Sequence, residues 1–523
     1  MLDSKIYYLT KMKKLLYASV ITLALGMTSC KKDFLETTPT DKVDAPTMLE
    51  TTDGAQVAMD GIYRMLYTSG WTTGNTDQNF GIMSTKIFTS LMGEDFLQDA
   101  QGNGWFYFDY RFDVRSRYTS TTWRSYGTWN FYYTLISNAN YILSAETTLK
   151  GEKAVIDNIM AQAYSIRAYA YFQLIQLFQQ TYIGHQNAPG VPLYTEPTTS
   201  ASQGKPRGTV EEVYTQINSD LDKAITLFAQ DKALQKHKSH VDFYLANAFK
   251  ANVSLVQNKW DDAVKYSTEA LSKPGLEMIS GADLTSGFNS ISLKDVLWGA
   301  QIIADQSTVY ASFFSHMDAS ADRYAASSRK VIYNWLYDQI PQTDARKKWW
   351  HDATDGGDPE TKPYNQVKFR YADKASDLGD YIFMRAEEMQ LVKAEALAHA
   401  NRLTEAKTEL EKLMKLRNPN YAQTLNGMKM SKDFTMGSIG LPTTLMDQIL
   451  LQRRIELWGE AERIYDLQRL KMGFNRNATK SNHTSKPIWN TEEVASKEFI
   501  LTIPQKEFDG NTSLDATKDQ NPL

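Results

Sequence analysis

The segment Tyr381–Arg417, YIFMRAEEMQLVKAEALAHANRLTEAKTELEKLMKLR, constrains the chain more than any other. Its spacing predicts two short antiparallel helices. Met389, Val392, Ala396 and Ala400 recur at intervals of three and four, which places them on one helical face, and Leu391, Ala394 and Ala398 widen that stripe with small residues. Asn401-Arg402 breaks the period, Leu403, Ala406, Leu410 and Leu413 begin a second stripe, and Asn418-Pro419 ends it. A hairpin of this size cannot bury its own apolar face, so it has to stack on other helices.

A second copy fits the same frame. Ala248, Ala251 and Leu255 precede a turn at Asn258-Lys259, followed by Trp260, Ala263 and Ala270. NKWDDA (258–263) aligns with NRLTEA (401–406) without a gap, and Ala251 corresponds to Ala394. The two units predict tetratricopeptide-like helix pairs, although most of that repeat's other marker positions are missing. Further helices are expected over 55–67 (Val57, Ile62, Met65 and Leu66 inward), 129–149 and 159–178. Another follows Thr209, whose capping box is completed by Glu212, and one long helix is expected over 445–473. On that helix Arg453–Glu456, Glu460–Arg463 and Asp466–Arg469 read as surface pairs at i,i+3. Val331–Ile340 reads as a short helix, GVPLYTEP (190–197) as extended chain, and the C-terminal tail as coil. Residues 68–128 and 279–330 lack a sustained period and read as long irregular segments, which in a compact protein are usually functional.

The N-terminus carries Lys11, Lys13 and Lys14 ahead of the apolar run Leu15–Leu25, then Gly26, Thr28, Ser29 and Cys30, the chain's single cysteine. This is the pattern of a secretory signal, too short for a mature membrane span, with Met12 better placed than Met1 as the start. It resembles a bacterial lipoprotein signal in which Cys30 becomes the acylated first residue. A polar stretch to about Pro46 then reads as a tether. With one cysteine no internal disulfide can form, and a net charge of −4 argues against nucleic acid as a partner. No phosphate-binding glycine loop or paired histidine motif is present, so no cofactor is expected. Asp352, Asp355, Asp358 and Glu360 could wrap a calcium ion, against the simpler reading of a solvated acidic turn.

Thirteen aromatic residues lie between Trp105 and Tyr133. Trp129, Tyr132 and Tyr133 are expected in a helix core, whereas Trp105, Phe106, Tyr107 and Phe108 fall outside any helical period. Flat rings suit sugars because the C–H face of a pyranose packs on a π-face, and Tyr and Trp add a polar edge. Asp95, Asn103, Asp109 and Arg111 are the nearby donors and acceptors. Tyr310, Phe313, Phe314 and Tyr324 make a second candidate patch, and Trp71 with Asn75 a third. The simpler alternative is that these rings anchor loops to the body. Glu94-Asp95 could supply one carboxylate of a glycosidase, but no clear partner presents itself.

Four segments together resemble the SusD/RagB-like outer-membrane nutrient-binding lipoproteins. They are AQAYSIRAYAYFQLIQLF with GVPL, MRAEEMQLVKAEALAHANRLTEA (384–406), ILLQRRIELWGEAERIYDLQRL (449–470), and IPQKEF with the terminal QNPL (503–523). Departures are small: Gln452-Arg453-Arg454 stands where a Glu-Arg pair is usual, and Leu523 where Gly is common. The resemblance implies an all-α fold of tetratricopeptide-like helix pairs with large irregular ligand-binding loops. It implies a signal at 1–29, a tether at 30–46, an N-terminal region at 47–230 and a C-terminal region at 231–523. It further implies a lipid anchor at Cys30 in the outer membrane, facing outward, and a SusC-like TonB-dependent transporter as partner. The ligand is then an oligosaccharide or polysaccharide, or in the RagB-type alternative a peptide, bound without catalysis.

Overall fold

The computed structural model describes residues 48–70, 76–113, 123–199, 201–233, 235–437, 439–460, 462–484 and 499–522. Cys30, the signal and tether, and Trp71 and Asn75 lie outside the described residues. The principal helices are α1 (Thr52–Met65), α2 (Ile82–Met92), α3 (Trp123–Ser144), α4 (Lys153–Phe178), α5 (Val210–Phe228), α6 (Phe243–Val256), α7 (Trp260–Leu271), α8 (Ala386–His399), α9 (Leu403–Arg417), α10 (Leu445–Glu456), α11 (Glu462–Arg469) and α12 (Gln505–Gly510). Short strands β1 (Phe96–Gln98), β2 (Pro189–Pro192), β3 (Arg207–Thr209), β4 (Val296–Ala300), β5 (Lys330–Ile332) and β6 (Tyr381–Arg385) pair antiparallel as β1–β5, β2–β3 and β4–β6.

Helices α3 to α9 pack each on the next. The two expected hairpins are α6–α7 and α8–α9, and their turns match in detail. Asn258 and Asn401 both sit in the left-handed region, at φ 56° and 61°. The amide after each reaches back to a carbonyl five residues earlier: Lys259 to Ser254 and Arg402 to Leu397, both at 2.9 Å. Asparagine tolerates that conformation better than most residues because its short amide can bond locally. Ala251, Ala263, Ala270, Ala394 and Ala406 have no exposed surface, so small side chains let these helices approach closely. The capping box on α5 is as the sequence predicts, with Glu212 N–H donating to Thr209 Oγ1 at 3.1 Å and Thr209 N–H to Glu212 at 2.7 Å.

Several expectations are corrected. Tyr381–Arg385 is strand, not helix, because β4 is available to pair with it. Val57 is 60% exposed and does not face inward; α1 buries Met59, Ile62, Tyr63 and Met65 instead. Residues 68–128 are not one irregular stretch: α2 lies within them, and α3 starts at Trp123. Every α2 side chain except Lys86 is buried, so no polar face marks its period in the sequence. Val331–Ile340 divides between β5 and a turn of helix at Asn334–Asp338, and the tail contains α12 and a turn at Ala516–Asp519.

The long helix expected over 445–473 breaks at Leu457–Glu460. Gly459 sits at φ 78°, and a Cβ there would lie 2.7 Å from the Phe369 ring. The surface pairs expected on it are buried instead. Glu456 accepts from Arg417 at 2.9 Å, Arg385 at 3.1 Å and Arg346 at 3.1 Å. Glu460 holds Lys368 at 2.7 Å and Arg385 at 2.8 Å. Arg463 pairs with Glu94, and Arg453 with Asp466. Asp466–Arg469 forms as expected, but inside the protein beside Glu395.

Candidate functional site

The strand pair β1–β5 is the platform for the candidate site. Its register sets Phe96 opposite Ile332, Leu97 opposite Val331 and Gln98 opposite Lys330. The chain leaving β1 turns back at residues 101–104, and Gln98 Nε2 ties that loop down by donating to the carbonyls of Ala100 (3.1 Å) and Trp105 (3.2 Å). Gly102, at φ 52°, presses against Ser328, where a Cβ would meet the serine Cβ at 2.8 Å. On the facing side Arg329 grips Asp99 twice, through its backbone N–H at 2.8 Å and Nε at 2.6 Å. Two irregular segments far apart in sequence are thereby held as one surface.

On that surface three rings run in contact. Trp105 is half-buried and meets Tyr324 edge-on, centroids 6.0 Å apart and planes at 71°. Tyr324 meets Tyr310 at 5.0 Å, and Tyr310 is 49% exposed. Beneath them lies a buried support. The His316 ring stacks between Phe80 (5.8 Å) and Tyr324 (5.0 Å), with Phe106 edge-on at 4.8 Å. Its Nε2 lies 2.7 Å from the Asp77 carbonyl, so that nitrogen carries the proton and donates. Burial, with Lys330 and Arg124 adding to it, pushes the His316 pKa well below its ordinary value and keeps the ring neutral. Tyr324 OH donates to Asp77 Oδ2 at 2.8 Å; burial and that carboxylate push the phenol up to about 12. The cluster thus offers uncharged ring faces with polar edges, fixed from behind.

The sequence candidates divide accordingly. Trp105, Tyr310 and Tyr324 come together, and the exposed Asn103 sits in the 101–104 turn beside them. Tyr107 is half-buried but packs with Phe108, Tyr110 and Arg111 instead of joining the cluster. Asp95 is withdrawn: it is buried, and Arg454 Nε donates to it at 2.8 Å. Glu94 is likewise buried against Arg463, at 3.0 Å, so this carboxylate pair faces no ligand. Asp109 is locked to Arg124. Phe313 and Phe314 are core residues; Phe313 packs on Phe369 and Phe314 on Tyr371. Trp129 and Tyr132 are core as expected, while Tyr133 is half-buried.

The acidic turn is a poor calcium cradle. Asp355 is taken by Lys362 at 2.9 Å and Asp352 accepts from Thr354 N–H at 2.8 Å, so Asp352, Asp355 and Asp358 do not converge as a ligand set. Among the described residues no group of three His, Cys, Asp or Glu could hold a metal ion. Asp77, His316, Asp99 and Arg329 escaped the sequence reading. Each bonds a partner more than two hundred positions away, and no local spacing signals that.

Comparison with known proteins bears on most of the chain. Residues 346–523 match the family model described as the SusD family, and residues 65–255 match one described as starch-binding and associating with the outer membrane. SusD-like protein P38 of Formosa agariphila is 22% identical, over 94% of this chain and 99% of that protein. A SusD-like carbohydrate-binding protein from Bacteroides vulgatus superposes with a TM-score of 0.74 at 25% identity, covering 90% of this chain and 98% of the other. Surface glycan-binding protein A from Bacteroides thetaiotaomicron, solved with laminarihexaose, superposes at 0.64 with 17% identity, over 90% and 99% of the two chains.

Proposed function

The chain belongs to the SusD family, and from that premise we propose that it is a cell-surface lipoprotein that captures oligosaccharide on the Trp105–Tyr324–Tyr310 rings and passes it to a SusC-like TonB-dependent transporter. The observation that carries this reading is the run of three touching rings, Trp105 and Tyr324 half-buried and Tyr310 exposed, on a platform rigidified by β1–β5 and the Asp99–Arg329 pair. Sugar rings gain from stacking on such faces, and their hydroxyls meet the phenol edges and Asn103. Two further facts agree: one of the structural neighbours is solved with a glucan hexasaccharide, and the matched family model describes outer-membrane association. Attachment in this reading is through an acyl chain on Cys30, which follows the basic and apolar signal pattern of residues 11–29. Moderate affinity suffices for the role, because tethering beside a transporter raises effective concentration. The reading includes no cleavage: the carboxylates best placed in sequence for it, Glu94 and Asp95, are held inside by arginines.

The test is titration calorimetry against a panel of oligosaccharides, with release of reducing ends followed in parallel. Trp105→Ala should weaken binding by about 1 kcal/mol, roughly fivefold, with little change in melting temperature. Unchanged affinity removes Trp105 from the site, and appearance of reducing ends overturns the non-catalytic reading.

A further inference from the structure

A second aromatic cleft opens elsewhere, with a volume of about 440 Å³, inside the range of about 300–1,000 Å³ usual for small-ligand sites. It lies between α3, α12, Tyr194–Thr199 and Ser202–Gly204, and shares no lining residue with the Trp105–Tyr324 cluster. One stripe of α3 supplies its wall: Tyr126, Trp129, Tyr133 and Ser137 recur at three and four. Trp129 and Tyr133 touch at 4.8 Å, and Tyr133 meets Tyr194 edge-on at 6.0 Å. Glu507 closes the end from α12. Its carboxylate accepts from the buried Trp129 Nε1–H at 3.0 Å and from Asn511 Nδ2 at 2.8 Å, which fixes it in place and leaves it further acceptor capacity.

We propose that this cleft is a second glycan subsite, taking one or two uncharged sugar rings against Tyr126, Tyr133 and Tyr194, which the buried Trp129 backs, with hydroxyls donated to Glu507. The lining alternates ring faces with hydroxyls and amides, including Ser137 and Gln203, which an all-hydrocarbon ligand would leave unbonded and a sugar can satisfy. Charge argues for a neutral sugar. The lining carries one ammonium, Lys506, 4.1 Å from the Tyr126 centroid, and one carboxylate, Glu507, so its two charges offset each other and favour neither an anionic nor a cationic ligand. The inference rests on the glycan-binding reading above and adds a second contact on the same polymer, which strengthens retention by avidity.

Affinity electrophoresis in gels containing laminarin, starch, levan, galactomannan or polygalacturonate distinguishes the outcomes. Ser137→Trp fills the cleft, and Tyr126→Ala, at a half-buried ring, opens it if the first variant fails to fold. Either should weaken retention by the best neutral polymer about three- to tenfold, as should Trp105→Ala, and combining a cleft variant with Trp105→Ala should abolish it. Folded cleft variants that migrate like the parent, while Trp105→Ala does not, overturn the second subsite and leave the primary reading standing. No retention by any neutral polymer overturns both, and retention by polygalacturonate alone overturns the neutral-sugar assignment.

Discussion

Lys330 shows how much a single side chain behind the site can matter. It has no exposed surface, and its Nζ has one described hydrogen bond, to the Ser328 carbonyl at 3.2 Å. Burial pushes its pKa down to about 7, only partly offset by Asp99. A lysine whose folded pKa is depressed binds fewer protons folded than unfolded, so stability falls as pH drops from its ordinary 10.5 towards 7 and stays lowered below that. Lys330→Met should therefore stabilise the protein by about 2 kcal/mol at pH 7, and the gain should shrink as pH approaches 10. Urea unfolding at the two pH values checks both the size and the trend. His316 acts in the same direction over a lower window, costing stability as pH falls below 6.5. The same burial explains what could be read in advance. Trp105, Tyr310 and Tyr324 were legible as ring-bearing residues in aperiodic segments. Nothing in the composition separated them from Phe313, or Asp95 from a ligand carboxylate, because the groups that bury Asp95 lie 359 positions away on α10.

At the scale of elements, the hairpins were legible because their information is local: small residues at helical spacing, then an asparagine that accepts a left-handed turn. That assignment can be tested at the turn. Asn401→Gly should leave stability within about 0.5 kcal/mol of the parent, whereas Asn401→Ala should cost about 1 kcal/mol, since alanine tolerates the left-handed region less well than either glycine or asparagine. Equal losses from both would mean that the side chain matters more than the turn conformation. Helices buried on every side were not legible in this way. α2 has no polar stripe, and α8 buries Glu387, Glu388 and Glu395 alongside its alanines, so hydropathy assigns them the wrong surroundings. The break between α10 and α11 has no local signal for a related reason, since Gly459 is required by the Phe369 ring, ninety residues earlier in the chain.

Across the whole molecule, buried ion networks join what the sequence lays far apart. Arg385 at the end of β6 bonds Asp295, Glu387, Glu456 and Glu460, and Arg417 from α9 and Arg346 share Glu456 with it. The helix pairs are thus fastened to the irregular region that carries the rings, which is how a loop-built surface stays preorganised for ligand. Such pairs add little over a well-packed apolar substitute, but removing one partner strands the others in a water-free interior. Glu456→Gln should cost about 3–5 kcal/mol because three guanidinium groups lose a shared charge. Glu405→Gln, which breaks the exposed pair with Arg402, should leave the unfolding midpoint close to the parent's. The pH dependence follows the same logic. Burial works against the Glu456 carboxylate, but Arg417, Arg385 and Arg346 outweigh it and hold its pKa well below the ordinary 4.5. Its contribution is therefore complete above that value and is lost as pH falls through the folded pKa. The parent should lose stability steeply in acid, and Glu456→Gln, weaker throughout, should follow a shallower acid limb. Parallel acid limbs for the two proteins in chemical unfolding would show that Glu456 is not the charge on which the network turns.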